Sequence, residues 1–447
     1  STATSPITLS SYWIFKFQNL GNDYYNWASV GQNGTLLPGQ GFTLKGSNAS
    51  SPNQNYTFLG KPNNGTITST IGANNLLLAG NPYPSAIDAN QFIDDNIAAI
   101  DGTLYFWEHY STNNSHNTAA YQGGYATYTK TGGTAPVAPA IISGLGSSSK
   151  TPTRFIPVGQ GFFVNGSTTG GTIRFENGQR LFIKEDNASS FTLFRANNSA
   201  TAASPSNNNS EDSINDGEEF MKIRLGFNSA NNYHRQILLG FMNDHATANY
   251  DPGYDGISMD QLTNDMYFIN GNLKLNIQGE GHFNVNNIYP LGVKNAVAGN
   301  VKFVIDNKEN FTNDQNVFIH DNVTNTYHNI NQNPFVINLP AGTIENRFSL
   351  RFTENGSLNT DENNLETGFV VFFNNQENTI NIKNQLLETN AKSVQLFNIL
   401  GQHIQSWEVE ELDQTNIALP TKSVSTGTYI VKITTDNGSL SKKIIIK

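Results

Sequence analysis

The feature that most constrains the fold is a period-two pattern at the carboxyl end of the chain. Tyr429, Val431 and Ile433 take every second position, and the apolar run Ile444-Ile445-Ile446 follows an Asp436-Asn437-Gly438 sequence. Apolar side chains at a period of two indicate a strand with one buried face, and Asn-Gly accepts the positive φ angles of a tight turn. The sequence therefore predicts that the chain ends in a β-hairpin.

A second pair of short strands is predicted upstream, in the sequence VQLFNILGQHI that begins at Val394 and breaks at Gly401. Together, the two strand pairs resemble the type A C-terminal sorting domain of substrates of the type IX secretion system. In that family a "LYNxLGQ" strand pair precedes a "GxYxxxxxTxxGxxxxKxxxx" terminus, and the order, spacing and terminal position agree here. The resemblance covers only the end of the chain, so it concerns destination and not activity.

The resemblance implies a small seven-stranded Ig-like domain and a route out of the cell. Substrates of this family cross the periplasm of a Gram-negative bacterium and engage the type IX translocon and an outer-membrane shuttle barrel protein. A sorting peptidase then normally removes the domain, which is often replaced by a lipopolysaccharide-type anchor. We therefore expect a protein that is secreted or displayed at the cell surface.

Recognition by that machinery is expected at the glycine turn, at the start of the first hairpin strand and along the last strand. Gly401 is expected to supply a backbone conformation that side chains forbid, and the last strand offers an edge for pairing with another chain. The residues assigned to recognition are Leu400, Gly401, Gln402, Gly427, Tyr429, Lys442, Lys443, Ile444, Ile445, Ile446 and Lys447.

The composition favours an all-β fold for the whole chain. Charged residues make up only 14% of the 447 residues, so Asn, Ser, Thr and Gly supply the polar balance. Asn and Gly favour tight turns between short strands. We therefore predict several β-sandwich domains of jelly-roll or Ig-like type in tandem, ending in the small sorting domain.

Composition also excludes or disfavours several classes of function. The chain has no cysteine, which rules out disulfide frameworks, thiolate metal sites and cysteine nucleophiles. The net charge of -10 argues against a nucleic-acid partner.

No apolar run reaches the roughly 20 residues that a transmembrane helix needs. The first residues lack the charged and apolar regions of a signal peptide, so Ser1 is expected to be a mature start or a fragment boundary.

Two polar segments divide the chain into three predicted domains. Residues 197–216 and 354–366 are rich in small polar side chains and are predicted linkers. They separate a β-rich passenger domain at 1–196, a β-sandwich of about eight strands at 217–353 and the sorting domain at 367–447. A parallel α/β architecture is disfavoured, because no helical pattern of about 10–15 residues separates the strands.

The first domain contains an internal repeat. The sequence LPGQGFTLKG at 37–46 resembles PVGQGFFVNG at 157–166, and in both copies the Gly-Gln-Gly is predicted to bend the chain into a strand. Between the copies, GNPYPSAID at 80–88 predicts a rigid turn after a buried strand. Residues 86–97 predict a short helix capped by Ser85 or Asp88.

No residue pattern indicates catalysis, so we expect a protein that is not an enzyme. The eight histidines are scattered singly, which disfavours a zinc site. No nucleophile elbow, Walker loop or singled-out pair of carboxylates is present. The acidic loop at 243–256 is a candidate calcium site through Asp244, Asp251 and Asp255, although a solvated turn is the favoured interpretation. No other cofactor is expected.

Asp212-Ser213-Ile214 resembles the acceptor sequence for periplasmic O-glycosylation in bacteria that use this secretion system. The acceptor would be Ser213, which lies in the first predicted linker, where a transferase could reach it. The alternative is an unmodified linker serine.

The passenger domains are interpreted as structural or adhesive modules. The alternative is a glycan-binding module, or the accessory region of a larger surface glycoside hydrolase, in which exposed aromatic rings stack on extracellular glycans. Aromatic residues that alternate in strands more often pack a core, and that interpretation is favoured. The aromatic residues concerned are Trp13, Tyr24, Tyr25, Trp27, Tyr105, Trp107, Tyr110, Tyr121, Tyr125 and Tyr128.

Overall fold

The computed structural model describes residues 9–18, 26–46, 59–109, 117–139, 142–144, 146, 148, 150–182, 219–354, 368–384, 386, 389–409, 415–422, 424–435 and 438–446. Strands dominate these residues, and the chain divides into two compact units, Ser1–Glu354 and Asn355–Lys447. The prediction of an all-β protein that ends in a small β domain is confirmed.

The described amino-terminal part of the first unit consists of antiparallel sheets, one α-helix and three short 3-10 helices. Its elements are β1 (Phe15–Phe17), β2 (Trp27–Ser29), β3 (Phe42–Thr43), β4 (Ile67–Ile71), β5 (Leu76–Gly80), β6 (Ala86–Asp88), α1 (Ala89–Asn96), β7 (Ile100–His109), β8 (Gly123–Thr129), β9 (Gly132–Thr134), β10 (Phe155–Ile156), β11 (Gly161–Gly166), β12 (Gly171–Phe175) and β13 (Arg180–Leu181). The largest sheet has the order β5-β11-β7-β8-β9, and the others are β2-β1-β3, β10-β6-β13 and β12-β4.

Helix α1 begins where the sequence predicted a cap. The Asp88 carboxylate accepts a hydrogen bond from the Asn90 backbone N–H at 3.0 Å, and it is also held by Arg154 at 2.8 and 2.7 Å. Phe92 and Ile93 pack into the core, so the helix is anchored by its apolar face as well as by its cap. The predicted helix was too long at its start, because residues 86–88 form strand β6.

The two Gly-Gln-Gly sequences form the same turn on opposite edges of β5. Gly39 and Gly159 have φ angles of 81° and 73°, and each following glutamine donates its backbone N–H three residues back, at 3.0 and 3.2 Å. The first copy joins β5 through the Gly41 N–H to the Leu78 carbonyl at 3.0 Å. The second copy starts β11, whose Gly161 pairs with Gly80. The prediction of structural glycines that lead into strands therefore fits both copies.

The turn after β5 is held by one asparagine. The Asn81 amide nitrogen donates to the carbonyls of Ser85, Ile156 and Pro157 at 2.9, 3.2 and 3.0 Å, and its oxygen accepts from the Tyr83 N–H at 3.0 Å. One buried side chain thus ties the rigid turn to the loop that precedes β11. The GNPYPSAID sequence therefore has a structural role in this chain.

The remainder of the first unit is built on one large sheet. Its strands are β14 (Met221–Asn228), β15 (His234–Phe241), β16 (Gly256–Ile257), β17 (Asp265–Asn270), β18 (Leu273–Glu280), β19 (Tyr289–Asn295), β20 (Gly299–Glu309), β21 (Phe318–Asp321), β22 (Thr326–Asn329), β23 (Phe335–Leu339) and β24 (Gly342–Arg351). The sheet has the order β22-β21-β24-β19-β17-β18-β15-β14-β20-β23, with β16 paired to β18.

This sheet folds over on itself around one apolar core. Its two edge strands, β22 and β23, follow each other directly in the chain, and the His328 and Phe335 rings stack at 3.7 Å between them. The enclosed side chains include Phe227, Phe241 and Phe348. Pairing is antiparallel except for β15 with β18, which is parallel. The described strands therefore enclose one core between the two ends of a single sheet.

Buried polar contacts join the two parts of the first unit. The Asn276 amide on β18 donates to the hydroxyls of Thr127 and Thr134 at 2.9 and 3.2 Å. The Tyr254 carbonyl accepts from the hydroxyls of Thr129 and Thr131 at 2.9 and 2.8 Å. These groups lost their water when the two parts met, so each depends on its partner in the other part.

The predicted division of residues 1–353 into two passenger domains differs from this arrangement. Both predicted domains lie in the single unit Ser1–Glu354. The physical reason is the close packing between them: a Cβ added at Gly102 would lie 2.4 Å from the Gly253 backbone. The whole first predicted linker, at 197–216, lies outside the described residues, as does most of the second.

The second unit is a two-layered sandwich. Its strands are β25 (Phe369–Asn374), β26 (Thr379–Asn384), β27 (Ala391–Asn398), β28 (His403–Glu408), β29 (Asn416–Pro420), β30 (Gly427–Thr435) and β31 (Gly438–Ile446). They form the sheets β25-β26-β29 and β28-β27-β30-β31, which enclose one apolar core. The seven strands described here match the predicted small domain, and β30 and β31 are the predicted terminal hairpin.

The single-unit arrangement predicts that the two halves of Ser1–Glu354 depend on each other. Fragments 1–196 and 217–354, made separately, should be unstable. Each fragment would leave buried hydrogen-bonding groups without the partners that the other fragment supplies. When co-expressed, they should co-purify through a tag on one fragment and melt in one transition. Two stable fragments that each melt cooperatively and do not associate would contradict the expectation.

Candidate functional site

The predicted recognition turn is organised by an asparagine that the sequence analysis did not select. The Asn398 side-chain oxygen accepts from the backbone N–H groups of Leu400 and Gln402 at 3.0 and 2.9 Å, and its amide nitrogen donates to the Gln402 side chain at 2.7 Å. The Gly401 N–H donates to the Asn398 carbonyl at 3.0 Å. An Asn at the start of a tight turn is the signal that could have identified it.

Gly401 is needed for its backbone conformation. Its φ angle is 80°, which disfavours other residues, and nothing lies within 4 Å of an added Cβ. The turn leaves two large apolar side chains in solvent, since Ile399 is 69% exposed and Leu400 is 82% exposed. The structure therefore places Leu400, Gly401 and Gln402 at an accessible tip, as recognition requires.

The terminal isoleucines divide between two roles. Ile444 and Ile446 are each only 4% exposed and pack inside the domain, whereas Ile445 is 59% exposed. This division follows from strand geometry, because successive side chains point to opposite faces. Of the three isoleucines assigned to recognition, only Ile445 is free to contact a partner while the domain stays folded.

Other assigned residues lie around the same hairpin. Tyr429 is buried, and its hydroxyl donates to the Ser425 carbonyl at 2.8 Å, so it supports the start of β30 from inside. Lys443 is exposed and Lys442 is half-buried, while Gly427 pairs with Ile446. Lys447 lies outside the described residues.

The outer face of the four-stranded sheet combines apolar and basic side chains. Phe397 on β27 lies opposite Ile430, which lies opposite Lys443 on β31. Ile445 is the next outward residue on β31, and Lys432 is the next on β30. We call these five residues the outer-face patch. Since β31 is the last strand of its sheet, the patch borders an edge whose backbone is open to another strand.

The structure does not bring the three candidate calcium ligands together. The buried Asp255 accepts from the backbone N–H groups of Asp251 and Gly279 at 2.6 and 2.8 Å, and Asp244 pairs with His282 at 3.0 Å. In the part of the chain that the structure describes, no group of three or more His, Cys, Asp or Glu side chains is placed to hold a metal ion. Asp255 instead fixes its own loop from a fully buried position, which differs from the solvated turn that the sequence analysis favoured.

Burial changes the acid–base properties of this region. Removal from water raises the pKa of Asp255 to about 7, and the nearby charges of Asp251 and Glu280 act in the same direction. Burial also raises the pKa values of Asp101 and Asp260 to about 6 each. All three carboxyl groups belong to the first unit, so its stability depends on pH.

Most described aromatic candidates pack against one another. Tyr105 and Tyr128 are buried, and Trp27 and Tyr125 pack beside Phe163. A partly exposed row remains, in which Tyr121 stacks on both Trp107 and His109, with ring centroids 5.9 and 4.8 Å apart. Trp13 packs against Tyr12 at 4.9 Å. Tyr24, Tyr25, Tyr110 and Ser213 lie outside the described residues.

Comparison with known families assigns both units. Residues 1–352 match the family described as Domain of unknown function (DUF8693). The chain belongs to the DUF8693 family. Residues 370–447 match the family described as Secretion system C-terminal sorting domain. The predicted type IX sorting domain is therefore confirmed, and the DUF8693 protein is one exported to the cell surface or the medium.

Other comparisons add little to this assignment. No curated protein matches the chain. A solved structure titled "Biofilm associated protein - BSP domain" is similar at 8% identity and a TM-score of 0.14, over 86% of this chain and 66% of that chain. A likeness at this level carries no argument about fold or function. No described helix of the DUF8693 protein is long and apolar enough to span a membrane.

The raised carboxyl pKa values predict that the DUF8693 unit is more stable at pH 5 than at pH 8. A carboxyl group with a raised pKa binds its proton more tightly in the folded state, so stability falls as the pH rises through the folded pKa values of about 6 to 7. The melting temperature of Ser1–Glu354 at pH 5, 6, 7 and 8 measures this.

Two variants test whether the buried Asp255 causes the pH dependence of the melting temperature. Asp255→Asn should flatten the pH profile while lowering the melting temperature overall, because an amide cannot accept both backbone hydrogen bonds as a carboxylate does. Asp244→Asn, at an exposed position, should leave the profile unchanged. A melting temperature that rises steadily from pH 5 to pH 8 would contradict the assignment.

Proposed function

We propose that the DUF8693 protein is a non-catalytic structural or adhesive protein of the bacterial surface, delivered there by its sorting domain. The observation that carries the proposal is the sorting domain itself, a folded module with its apolar recognition tip and outer-face patch in solvent. The passenger unit contributes a large all-β surface whose described aromatic residues mostly serve packing. Such a rigid, cysteine-free scaffold suits an exported structural role.

The partners that we propose for the sorting domain are the type IX translocon, its outer-membrane shuttle barrel protein and the sorting peptidase. The outer-face patch offers Ile430 and Ile445 as apolar contacts and Lys432 and Lys443 as charges. Its complement is an apolar surface with an acidic rim, and electrostatic complementarity of this kind sets orientation and encounter rate. The exposed Leu400 would provide a further apolar contact at the tip.

The terminal strand allows a sharp test of this docking. Ile445→Asp should leave the melting temperature of the sorting domain nearly unchanged, because the side chain is exposed. It should reduce recovery of the shuttle barrel protein at least tenfold, since the new carboxylate would be buried against an apolar surface. Co-purification of the shuttle from the producing bacterium measures this, with a chain lacking 355–447 as the negative control.

Two further variants separate docking from folding. Ser439→Asp adds the same charge to the exposed face of β31 but away from the patch, and it should retain the shuttle. Ile444→Asp should unfold the domain, because its side chain lies in the core. If the natural chain and Ile445→Asp recover equal amounts of the shuttle, the outer-face patch is not the binding site, and the turn at 399–402 becomes the candidate.

The alternative function is glycan binding, either as a separate module or as part of a larger hydrolase. The observation that favours it is the partly exposed row of Trp107, His109 and Tyr121. Each ring already uses one face against a neighbour, so only the remaining surface could stack on a sugar. This alternative ranks below the structural role for that reason.

A glycan array with the natural passenger unit and a Tyr121→Ala variant discriminates between the two functions. We expect no glycan to bind with a Kd below about 1 mM, the weak end of the usual affinity range. Saturable binding of one glycan class that Tyr121→Ala removes, without a change in melting temperature, would establish the alternative instead.

A further inference from the structure

Arg351 is a buried cation that has no described carboxylate partner. It is the last residue of β24 and is 9% exposed. Its Nε donates to the Ser349 hydroxyl at 3.0 Å, and no other described residue accepts a hydrogen bond from its guanidinium. Burial lowers the pKa of Arg351, and the Tyr327 hydroxyl is the group that offsets this. A buried charge without a counter-charge costs several kcal/mol.

Three other half-buried or buried arginines of this unit do have a carboxylate partner. Arg347, four residues earlier on the same strand, holds Asp321 through two hydrogen bonds of 3.0 and 2.8 Å. Arg235 pairs with Asp265 at 2.9 Å, and Arg154 pairs with Asp88 at 2.7 Å. Arg351 differs from these three arginines, since no described carboxylate pairs with it.

The neighbours of Arg351 are polar groups with unused hydrogen-bonding capacity. Ser349 is buried, and its hydroxyl accepts from Arg351, which leaves its own proton free to donate. His320 lies opposite Ser349 in the strand pairing and is buried, with its Nδ1 lacking any partner. Its other ring nitrogen lies 3.0 Å from the Asn325 side-chain oxygen. Tyr327 stacks on the His320 ring at 4.2 Å.

Strand geometry places these groups on one face. Residues 349 and 351 are two apart on β24, and their partners His320 and Phe318 are two apart on β21. Their side chains therefore point to the same side of the sheet, opposite to the core that holds Leu350 and Ile319. A guanidinium without a described carboxylate partner, a free hydroxyl proton and an unpartnered ring nitrogen therefore lie on the same side of β21 and β24, opposite to the core.

We propose that Arg351 and Ser349, with His320 beside them, form a binding site for one anionic group, either a carboxylate or a phosphoryl group of a ligand. The guanidinium nitrogens that are not bonded to Ser349 supply the planar fork that both groups match. The Ser349 hydroxyl adds a third donor. Occupation supplies the counter-charge that Arg351 lacks within the described chain, and Asp321 is unavailable for this because Arg347 holds it.

The first test compares the melting temperatures of two variant proteins, each with one arginine of β24 replaced by methionine. In a chloride buffer, Arg351→Met should be as stable as the natural chain or more stable, since it removes an unpaired buried charge. Arg347→Met should be less stable, since it leaves Asp321 unpaired. If Arg351→Met destabilises as strongly as Arg347→Met, Arg351 is already satisfied and the proposal fails.

Ligand dependence is then measured at constant ionic strength. Inorganic phosphate or glucuronate should raise the melting temperature of the natural chain saturably, by about 2 °C, as expected for a ligand that binds only the folded state. Arg347→Met should keep this response, Arg351→Lys should keep part of it and Arg351→Met should lose it. A response to phosphate alone assigns a phosphoryl ligand, and a response to glucuronate alone assigns a carboxylate.

Uncharged glucose is the control for sugar binding without charge. It should leave the melting temperature of every variant unchanged. An equal response to glucose and glucuronate, or an anion response that persists in Arg351→Met, would overturn the proposal.

Discussion

The packing of one loop between two sheets holds the DUF8693 unit together. Asp255 fixes the loop by accepting hydrogen bonds from Asp251 and Gly279, and the loop then presents the carbonyls of Tyr254 and Ile257 to hydroxyl groups of the amino-terminal sheet. Because these donors and acceptors are buried, loss of one group leaves its partner without a hydrogen bond and without water, which destabilises the folded state.

Local chemistry in the sequence predicted the elements well. The period-two pattern from Tyr429 to Ile433 and the apolar run at 444–446 marked the two strands of the terminal hairpin, β30 and β31, because strands bury every second side chain. Asp88 was a recognisable cap, and the terminal module was recognisable from its turns. These features depend on residues close together in the chain, which is the information that a sequence pattern contains.

Long-range partners could not be predicted in the same way. Asn276, Thr127 and Asp255 are polar residues of types that are usually found in exposed turns and strands. They are buried here because a segment that is distant in the chain covers them. The approach of the edge strands β22 and β23 and the parallel pairing of β15 with β18 likewise depend on contacts between strands that are distant in the sheet or the chain. Among the residues assigned to recognition, the alternation from Leu440 could have separated the core-facing Ile444 from the exposed Ile445, but the hydrogen bonds of Asn398 depend on the turn geometry.

The lysines of the last strand protect its apolar edge against unwanted strand pairing. An open edge strand that carries three isoleucines would pair with any exposed strand, and charged side chains at the edge are the usual protection. Lys443 lies on the outer face beside Ile445, while Lys442 lies toward the inner side and is only half-buried. A strand that paired with this edge would have to provide acidic or polar groups for both lysines as well as an apolar contact for Ile445. Such a double requirement would select against a purely apolar edge, which would leave the lysines without water or counter-charge.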